Sequence, residues 1–235
     1  RDTVEAMRRA GVKKGYIYVA NPTEVDQTIE IPANMDIQIE SSPYKTAPFQ
    51  GNLTRGYHDL GGDPEQSTVQ TVKRKAGFKD AMFKVANATS TLSFYNITVD
   101  GNKGAVVANA PVIDITAGEV KLTDNTTVQN NAVEKGATAP TASAINVAGT
   151  GVLTMNGLAN PVNVVNNESR TVDTEASVSA ITVTSTAHAT ATSLSGVEAA
   201  RARAVNVAGD VTVGSNFNKH KENAAATTTV DTKAN

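Results

Sequence analysis

The sequence predicts an all-β chain folded as a right-handed parallel β-helix, a β-solenoid, with a short capping helix at its N-terminus. Short apolar–polar–apolar segments recur along the chain, and polar turns rich in asparagine follow them. The composition is aliphatic, with 40% hydrophobic but only 4% aromatic residues and no tryptophan. Small, stiff aliphatic side chains suit narrow layered strands. Coils built from such strands must stack on one another to bury their apolar faces, as solenoids do.

Residues 1–15 predict the capping helix. Asp2 and Glu5 have the spacing of a capping box, and Val4 and Met7 fall near one helical face. Gly11 is a natural point for the helix to end. We expect the helix to cover the open end of the first coil, because a bare strand edge would promote aggregation.

Residues 16–215 predict the β-helix, through four segments that align with one another. They start at 83, 113, 145 and 205, at intervals of 30, 32 and 60 residues, and the last interval is interpreted as two periods. The segment 181–183 falls in that gap but out of register, and a weaker copy starts at Ile29. The interval between copies predicts coils of about 30 residues.

Second and third strands follow in most copies. The second strands contain Leu92, Val120, Val152 and Val211, and the third strands contain Ile97, Thr127 and Val162. Asparagine tolerates left-handed backbone geometry and bonds to neighbouring backbone groups. We therefore expect Asn96, Asn130 and Asn166 to have structural roles at the turns.

The periodicity disappears between about residues 41 and 78, which predicts an insertion. Long excursions from a rigid scaffold are common binding elements. This interval combines a tyrosine ring with charged groups, a mixture suited to sugars or peptides, and a basic cluster that could meet an acidic polymer. Its candidate ligand-binding residues are Arg55, Tyr57, His58, Asp59, Lys73, Arg74 and Lys75. The simpler alternative is a solvated loop folded against the helix. Residues 216–235 are interpreted as a polar tail or a last weak coil.

Composition and charge exclude several classes of function. The net charge of −2 offers no basic stripe for nucleic acid, and no run of 18 apolar residues predicts membrane insertion. The lack of cysteine excludes disulfides, thiol catalysis and cysteine-ligated metals. The three histidines are not spaced as ligands, so we expect no metal site and no cofactor. The chain begins at Arg1 rather than Met, which suggests part of a longer polypeptide.

Three blocks of sequence carry a resemblance to a known family. Residues 15–20 (GYIYVA), 28–32 (TIEIP) and 92–102 (LSFYNITVDGN) resemble the start of pectin-lyase-like β-helix proteins. The Thr/Asn/Ala-rich composition also resembles the β-helical modules of wall-anchored adhesins from Gram-positive bacteria. The resemblance implies a bacterial protein that is secreted or displayed on the cell wall. Its fold is better specified than its function, because one β-helix scaffold carries lyases, hydrolases and adhesins.

No group of catalytic residues stands out in the sequence. Glycan hydrolysis needs two carboxylates flanking the bond, and elimination needs carboxylates around Ca²⁺ with a basic residue nearby. Asp100 and Asp124 are the best candidates for sharing one edge, although solvated turn residues explain them more simply. We therefore predict no catalytic residue. The expected function is a binding module of a surface adhesin that contacts a carbohydrate or a host-surface protein. The alternatives are a polysaccharide lyase or glycoside hydrolase, and a structural spacer of a surface fibre.

Overall fold

A computed structural model shows the chain as a parallel β-helix preceded by one helix, α1 (Asp2–Arg9), which confirms the predicted fold class. It describes residues 1–42, 68–135, 142–171, 179–183, 205–220, 223–226 and 230–231. The strands are β1 (Lys14–Val19), β2 (Thr23–Val25), β3 (Ile29–Glu30), β4 (Asp36–Ser41), β5 (Gln70–Arg74), β6 (Phe83–Tyr95), β7 (Ile97–Asp100), β8 (Ile113–Thr123), β9 (Thr127–Gln129), β10 (Ala132–Lys135), β11 (Ala142–Val147), β12 (Val152–Val165), β13 (Glu168–Thr171), β14 (Ser179–Val183), β15 (Val205–Gly214), β16 (Phe217–His220), β17 (Asn223–Ala226) and β18 (Val230–Asp231).

The N-terminal helix forms as predicted but begins differently. Arg1 is its N-cap residue and makes no side-chain cap hydrogen bond, so the predicted capping box is wrong. Asp2 lies inside the first turn, and Glu5 pairs with Arg8 at 2.7 Å instead of reaching back to the cap. Gly11 ends the helix with a φ of 71°, a left-handed conformation that glycine adopts without strain.

The helix packs on the first coil through a close contact. Val4 is buried in the core, and Met7 packs against that core from the edge. A Cβ atom on Gly15, in β1, would lie only 1.9 Å from the Met7 Cε atom. The absence of a side chain at Gly15 therefore makes room for the methionine that covers the end of the solenoid.

The strands stack into three main faces. The first face contains β3, the start of β6, the start of β8, β11, β14 and β18. The second face contains β1, β4, the end of β6, the end of β8, the start of β12 and the start of β15. The third face contains β2, β5, β7, β9, the end of β12 and the end of β15. A fourth, shorter column is formed by β10, β13 and β16, with β17 antiparallel to β16.

Inward-pointing side chains form columns that run along the solenoid axis. On the second face Ile39, Phe94, Leu122 and Met155 occupy matching positions and are all buried. The Phe83 ring meets the Phe94 ring edge to face, with 5.0 Å between centroids. Because successive residues of a strand alternate between inside and outside, each buried column leaves an exposed one beside it.

The C-terminal repeats follow a different register from the predicted one. Ile181 in β14 pairs with Ile145, so the segment that seemed out of register is the next copy on the first face. Val205 pairs with Leu153 on the second face, and Val211 pairs with Val162 on the third. The predicted assignment failed because alternating valines before a glycine look the same on every face of the solenoid.

The described part of the predicted insertion contains one complete strand. Within the interval 41–78, β5 lies on the third face between β2 and β7 and pairs with both in parallel. Residues 43–67 lie outside the part of the chain that the structure describes.

Candidate functional site

The outward positions of the second face carry an aromatic and polar surface near the N-terminal end. β1, β4 and the end of β6 are three neighbouring rungs there, and their register aligns Tyr18, Glu40 and Tyr95 in one column. The adjacent column begins with Tyr16 and Gln38. We call these five residues the tyrosine face. Their strands point Ile17, Ile39 and Phe94 inward between them, so the scaffold below is packed.

Two of the three rings of the tyrosine face are exposed to solvent, and the third, that of Tyr18, is partly exposed. Tyr16 is 51% and Tyr95 42% exposed, and with Leu158 they are the large hydrophobic residues exposed in the described part of the chain. The Tyr16 and Tyr18 rings are nearly parallel, at 17°, with centroids 6.3 Å apart. Three of the five tyrosines of this aromatic-poor protein therefore lie on one face.

Most charged groups beside these rings have a partner of opposite charge. Lys14 lies 3.5 Å from Asp36, and Lys121 lies 3.3 Å from Glu119. Within the tyrosine face, the Gln38 side-chain amide donates a hydrogen bond to the Glu40 carboxylate. The surface is therefore polar, but it presents little excess charge to a ligand.

An asparagine corner runs beside the column of Tyr18 and Tyr95. Asn96 and Asn125 both have left-handed φ angles, of 47° and 58°, and the Asn125 amide donates to the Asn96 side-chain oxygen at 2.7 Å. Asn130 and Asn166 occupy left-handed positions at the opposite end of the third face and are hydrogen-bonded to each other. The structural roles predicted for Asn96, Asn130 and Asn166 are therefore confirmed.

A second, buried asparagine ladder lies just past that opposite end. Asn131, Asn167 and Asn216 are at most 2% exposed. The backbone N–H of each of the first two donates to the side-chain oxygen of the next, at 3.0 and 2.9 Å. Sequence reasoning missed this ladder, although each of its members directly follows the left-handed turn residue of its coil.

The side chains of the predicted basic cluster, Lys73, Arg74 and Lys75, do not lie together on one surface. Lys73 points outward from β5, and Lys75 pairs with Asp26 at 3.3 Å. Arg74 points inward and is fully buried. It donates to the Asp80 carbonyl and, at 3.3 Å, to Asn131 Oδ1, and its guanidinium lies 5.4 Å from the centroid of the Phe78 ring.

Burial governs the chemistry of Arg74. Desolvation lowers the pKa of its guanidinium from 12.5 to about 10, against a smaller opposing effect of Asp80. No described residue accepts a hydrogen bond from its buried Nε atom. The side chain therefore belongs to the interior and is not presented to a ligand. The other candidates, Arg55, Tyr57, His58 and Asp59, lie outside the described residues.

One open pocket lies beside this buried arginine. It encloses about 440 Å³ between the turn at 75–80 and neighbouring loops. Two lysines and two aspartates line it, and one pair of them, Lys75 and Asp26, forms an ion pair. The pocket thus offers mixed charges rather than a concentrated field of one sign.

The two candidate carboxylates, Asp100 and Asp124, lie at opposite ends of the third face. Asp100 lies at the end of β7 beside Gln129 and accepts hydrogen bonds from Gln129, Asn130 and the Asn102 backbone. Asp124 lies before β9, at the other end of the same face, and accepts from the backbone of Ala159. Both are turn residues held by neighbouring coils. Across the described ranges there is no group of three His, Asp or Glu residues that could hold a metal ion.

Comparisons with known proteins identify no relative. No protein family model, no curated protein sequence and no solved structure matches the chain. Within the described residues, no helix has the length and hydropathy needed to cross a membrane. Function is therefore inferred from the surface chemistry of the solenoid itself.

Proposed function

We propose that the chain is a binding module of a bacterial surface adhesin and that it contacts a carbohydrate through the tyrosine face. The observation that supports this is the gathering of the exposed Tyr16 and Tyr95 and the partly exposed Tyr18 on one side of a packed parallel sheet. Leu158 is the other large hydrophobic residue exposed in the described part of the chain, and it stands alone. Exposed apolar groups gathered in one place mark interaction sites.

Tyrosine suits the recognition of sugars for two physical reasons. The electron-rich face of its ring attracts the C–H groups on one side of a pyranose, while its hydroxyl reaches solvent and can bond to a sugar hydroxyl. It also loses little conformational entropy on binding, because it has only two side-chain torsions. Glu40 lies between Tyr18 and Tyr95, and Gln38 lies beside Tyr16; they supply a carboxylate and an amide for further hydrogen bonds.

The rigidity of the sheet beneath these side chains also favours binding. The backbone of each rung is bonded to the rungs on either side, so the rings are held in place before a ligand arrives. Preorganisation of this kind reduces the cost of binding. The engaged positions of Asp100 and Asp124 favour binding over the alternative of polysaccharide cleavage.

The test is a glycan array probed with the purified chain, with chain cleavage of each bound polymer assayed in parallel. We expect binding without cleavage, weakened about ten-fold or more when Tyr95 is changed to alanine. Cleavage that is lost on changing Asp100 or Asp124 would replace this proposal with the lyase or hydrolase alternative. The lack of any glycan ligand would favour a protein ligand or a structural spacer.

The matched control is the double variant Lys73→Ala, Lys75→Ala on a different part of the solenoid. It removes the accessible charges of the predicted basic cluster and leaves the tyrosine face untouched. We expect its glycan binding to equal that of the unmodified chain. Loss of binding in this variant alone would move the site to the region around residues 73–80.

A further inference from the structure

The tyrosine face has a repeat that runs along the solenoid axis rather than along its strands. Tyr18, Glu40 and Tyr95 lie at matching positions of three successive rungs, and the asparagine corner of Asn96 and Asn125 continues beside them. In the strand direction the face is short, because Asn96 turns the chain directly after Tyr95. An extended ligand therefore has more room along the axis.

The spacing of the rungs decides what such a ligand contacts. Neighbouring parallel strands lie about 4.8 Å apart, so the two rungs between Tyr18 and Tyr95 span roughly 9.6 Å. In an extended β-1,4-linked glycan, successive sugars are turned over, and every second sugar presents the same face. The distance between such sugars is close to that two-rung span, so both rings can contact the same side of one chain.

The charges beside the rings also restrict the class of glycan that can bind. An acidic glycan needs cations that are available to its carboxylates. Among the described residues, the lysines on the outward positions of this face are Lys14 and Lys121, and each is paired, with Asp36 and Glu119 respectively. A neutral glycan needs only the hydrogen-bonding groups of the tyrosine face.

We propose that the ligand is a neutral β-1,4-linked glycan lying along the solenoid axis, with every second sugar on Tyr18 or Tyr95. This inference rests on the proposed carbohydrate-binding function and gives it a ligand class and a direction. A disaccharide contacts one ring of this column at a time, whereas a trisaccharide places its first and third sugars on both.

The experiment is a length series measured by calorimetry on the full chain. The probes are cello-oligosaccharides and chito-oligosaccharides of two to six sugars, with β-1,4-linked oligomannuronates of the same lengths as the acidic comparison. We expect the affinity to rise by about ten-fold between the disaccharide and the trisaccharide in a neutral series, because the second ring then contributes.

Two tyrosine variants separate the axial direction from the strand direction. Tyr95→Ala is expected to abolish the rise between two and three sugars, since it removes the second ring of the axial column. Tyr16→Ala removes a ring that stacks on Tyr18 along the same strand but lies outside that column. We expect it to weaken binding at every length, whereas the rise between two and three sugars should persist. Thermal unfolding of both variants would check that the scaffold is intact.

Each other outcome has a distinct meaning. A rise that depends on Tyr16 but not on Tyr95, or no rise at all, would overturn the axial inference and leave carbohydrate binding standing. Tighter binding of oligomannuronates, or binding only to glycans without β-1,4 linkages, would overturn the ligand class. The failure of every probe and of the glycan array would overturn the proposed function as well.

Discussion

Two columns of side chains run along this solenoid and differ in the direction they point. Asn131, Asn167 and Asn216 point inward, are buried, and bond to the backbone of neighbouring coils. Tyr18 and Tyr95 point outward, and Tyr95 is 42% exposed. Position in the coil thus separates two kinds of column: inward columns stabilise the stack, and outward columns lie at the surface, where we propose that they contact a ligand.

The strongest test of this division uses two neighbours on one strand. Phe94→Ala removes a fully buried ring and should lower the free energy of unfolding by about 3–5 kcal/mol. Tyr95→Ala removes an exposed ring and should cost less than about 1 kcal/mol while weakening glycan binding. Urea unfolding of both variants measures the difference. Equal losses would mean that Tyr95 also supports the scaffold.

The asparagine ladder should be the next most sensitive element. Asn167→Ala leaves the backbone N–H of Asn131 without its acceptor in a buried site, at a cost of about 3 kcal/mol. Asn125→Ala, at the outer corner, loses one bond to Asn96 and should cost about 1 kcal/mol. Chemical denaturation compares the two. A ladder variant no worse than the corner variant would show that water replaces the amide.

Tight turns give a smaller and more local effect. Gly118 has a φ of 77°, and a Cβ atom there would lie 2.4 Å from the Asn87 carbonyl oxygen, so Gly118→Ala should cost about 2 kcal/mol. A Cβ atom on Gly104 would meet nothing within 4 Å, and Gly104→Ala should be close to neutral. Melting temperatures of the two variants test this. Similar values would show that the first turn relaxes.

The smallest expected effect concerns the buried charge of Arg74. Its pKa of about 10 lies below the ordinary 12.5, so the unfolded chain binds more protons between these values and stability should rise with pH there. Relative to Arg74→Met, which does not titrate, the unmodified chain should gain about 1 kcal/mol between pH 8 and pH 11. Parallel denaturation at both pH values measures it. A constant difference would mean that the guanidinium stays protonated and its carbonyl partners offset its burial.

Much of the fold could be predicted because the inward columns leave a clear pattern. Alternating aliphatic residues around Ile113 and Ile145 identify the coils, and those two residues pair in the structure as predicted. The register failed at Val205 because coil length varies, and period-2 alternation states only that a residue points inward, not which face it lies on.

The candidate site was harder to predict, since it depends on which rungs are neighbours. Tyr16 and Tyr18 can be read as outward from their alternation with Ile17, but the alignment of Tyr18 with Tyr95 requires the register of three strands. The burial of Arg74 had a signal that was overlooked. Val72 is an inward aliphatic residue, so alternation also directs Arg74 inward, despite the lysines on either side.

The spacing between rungs has a consequence for selectivity. Backbone hydrogen bonds set this spacing, and they do not depend on the side chains of the outer columns. The distance between contact positions on the tyrosine face is therefore fixed. If the repeat of a polymer differs slightly from the rung spacing, its first sugar can align with a ring, but the misalignment grows at each later contact. Discrimination should therefore sharpen as the polymer lengthens. Substitution of one outward residue would change the contact made at a single rung and leave the spacing between rungs unchanged.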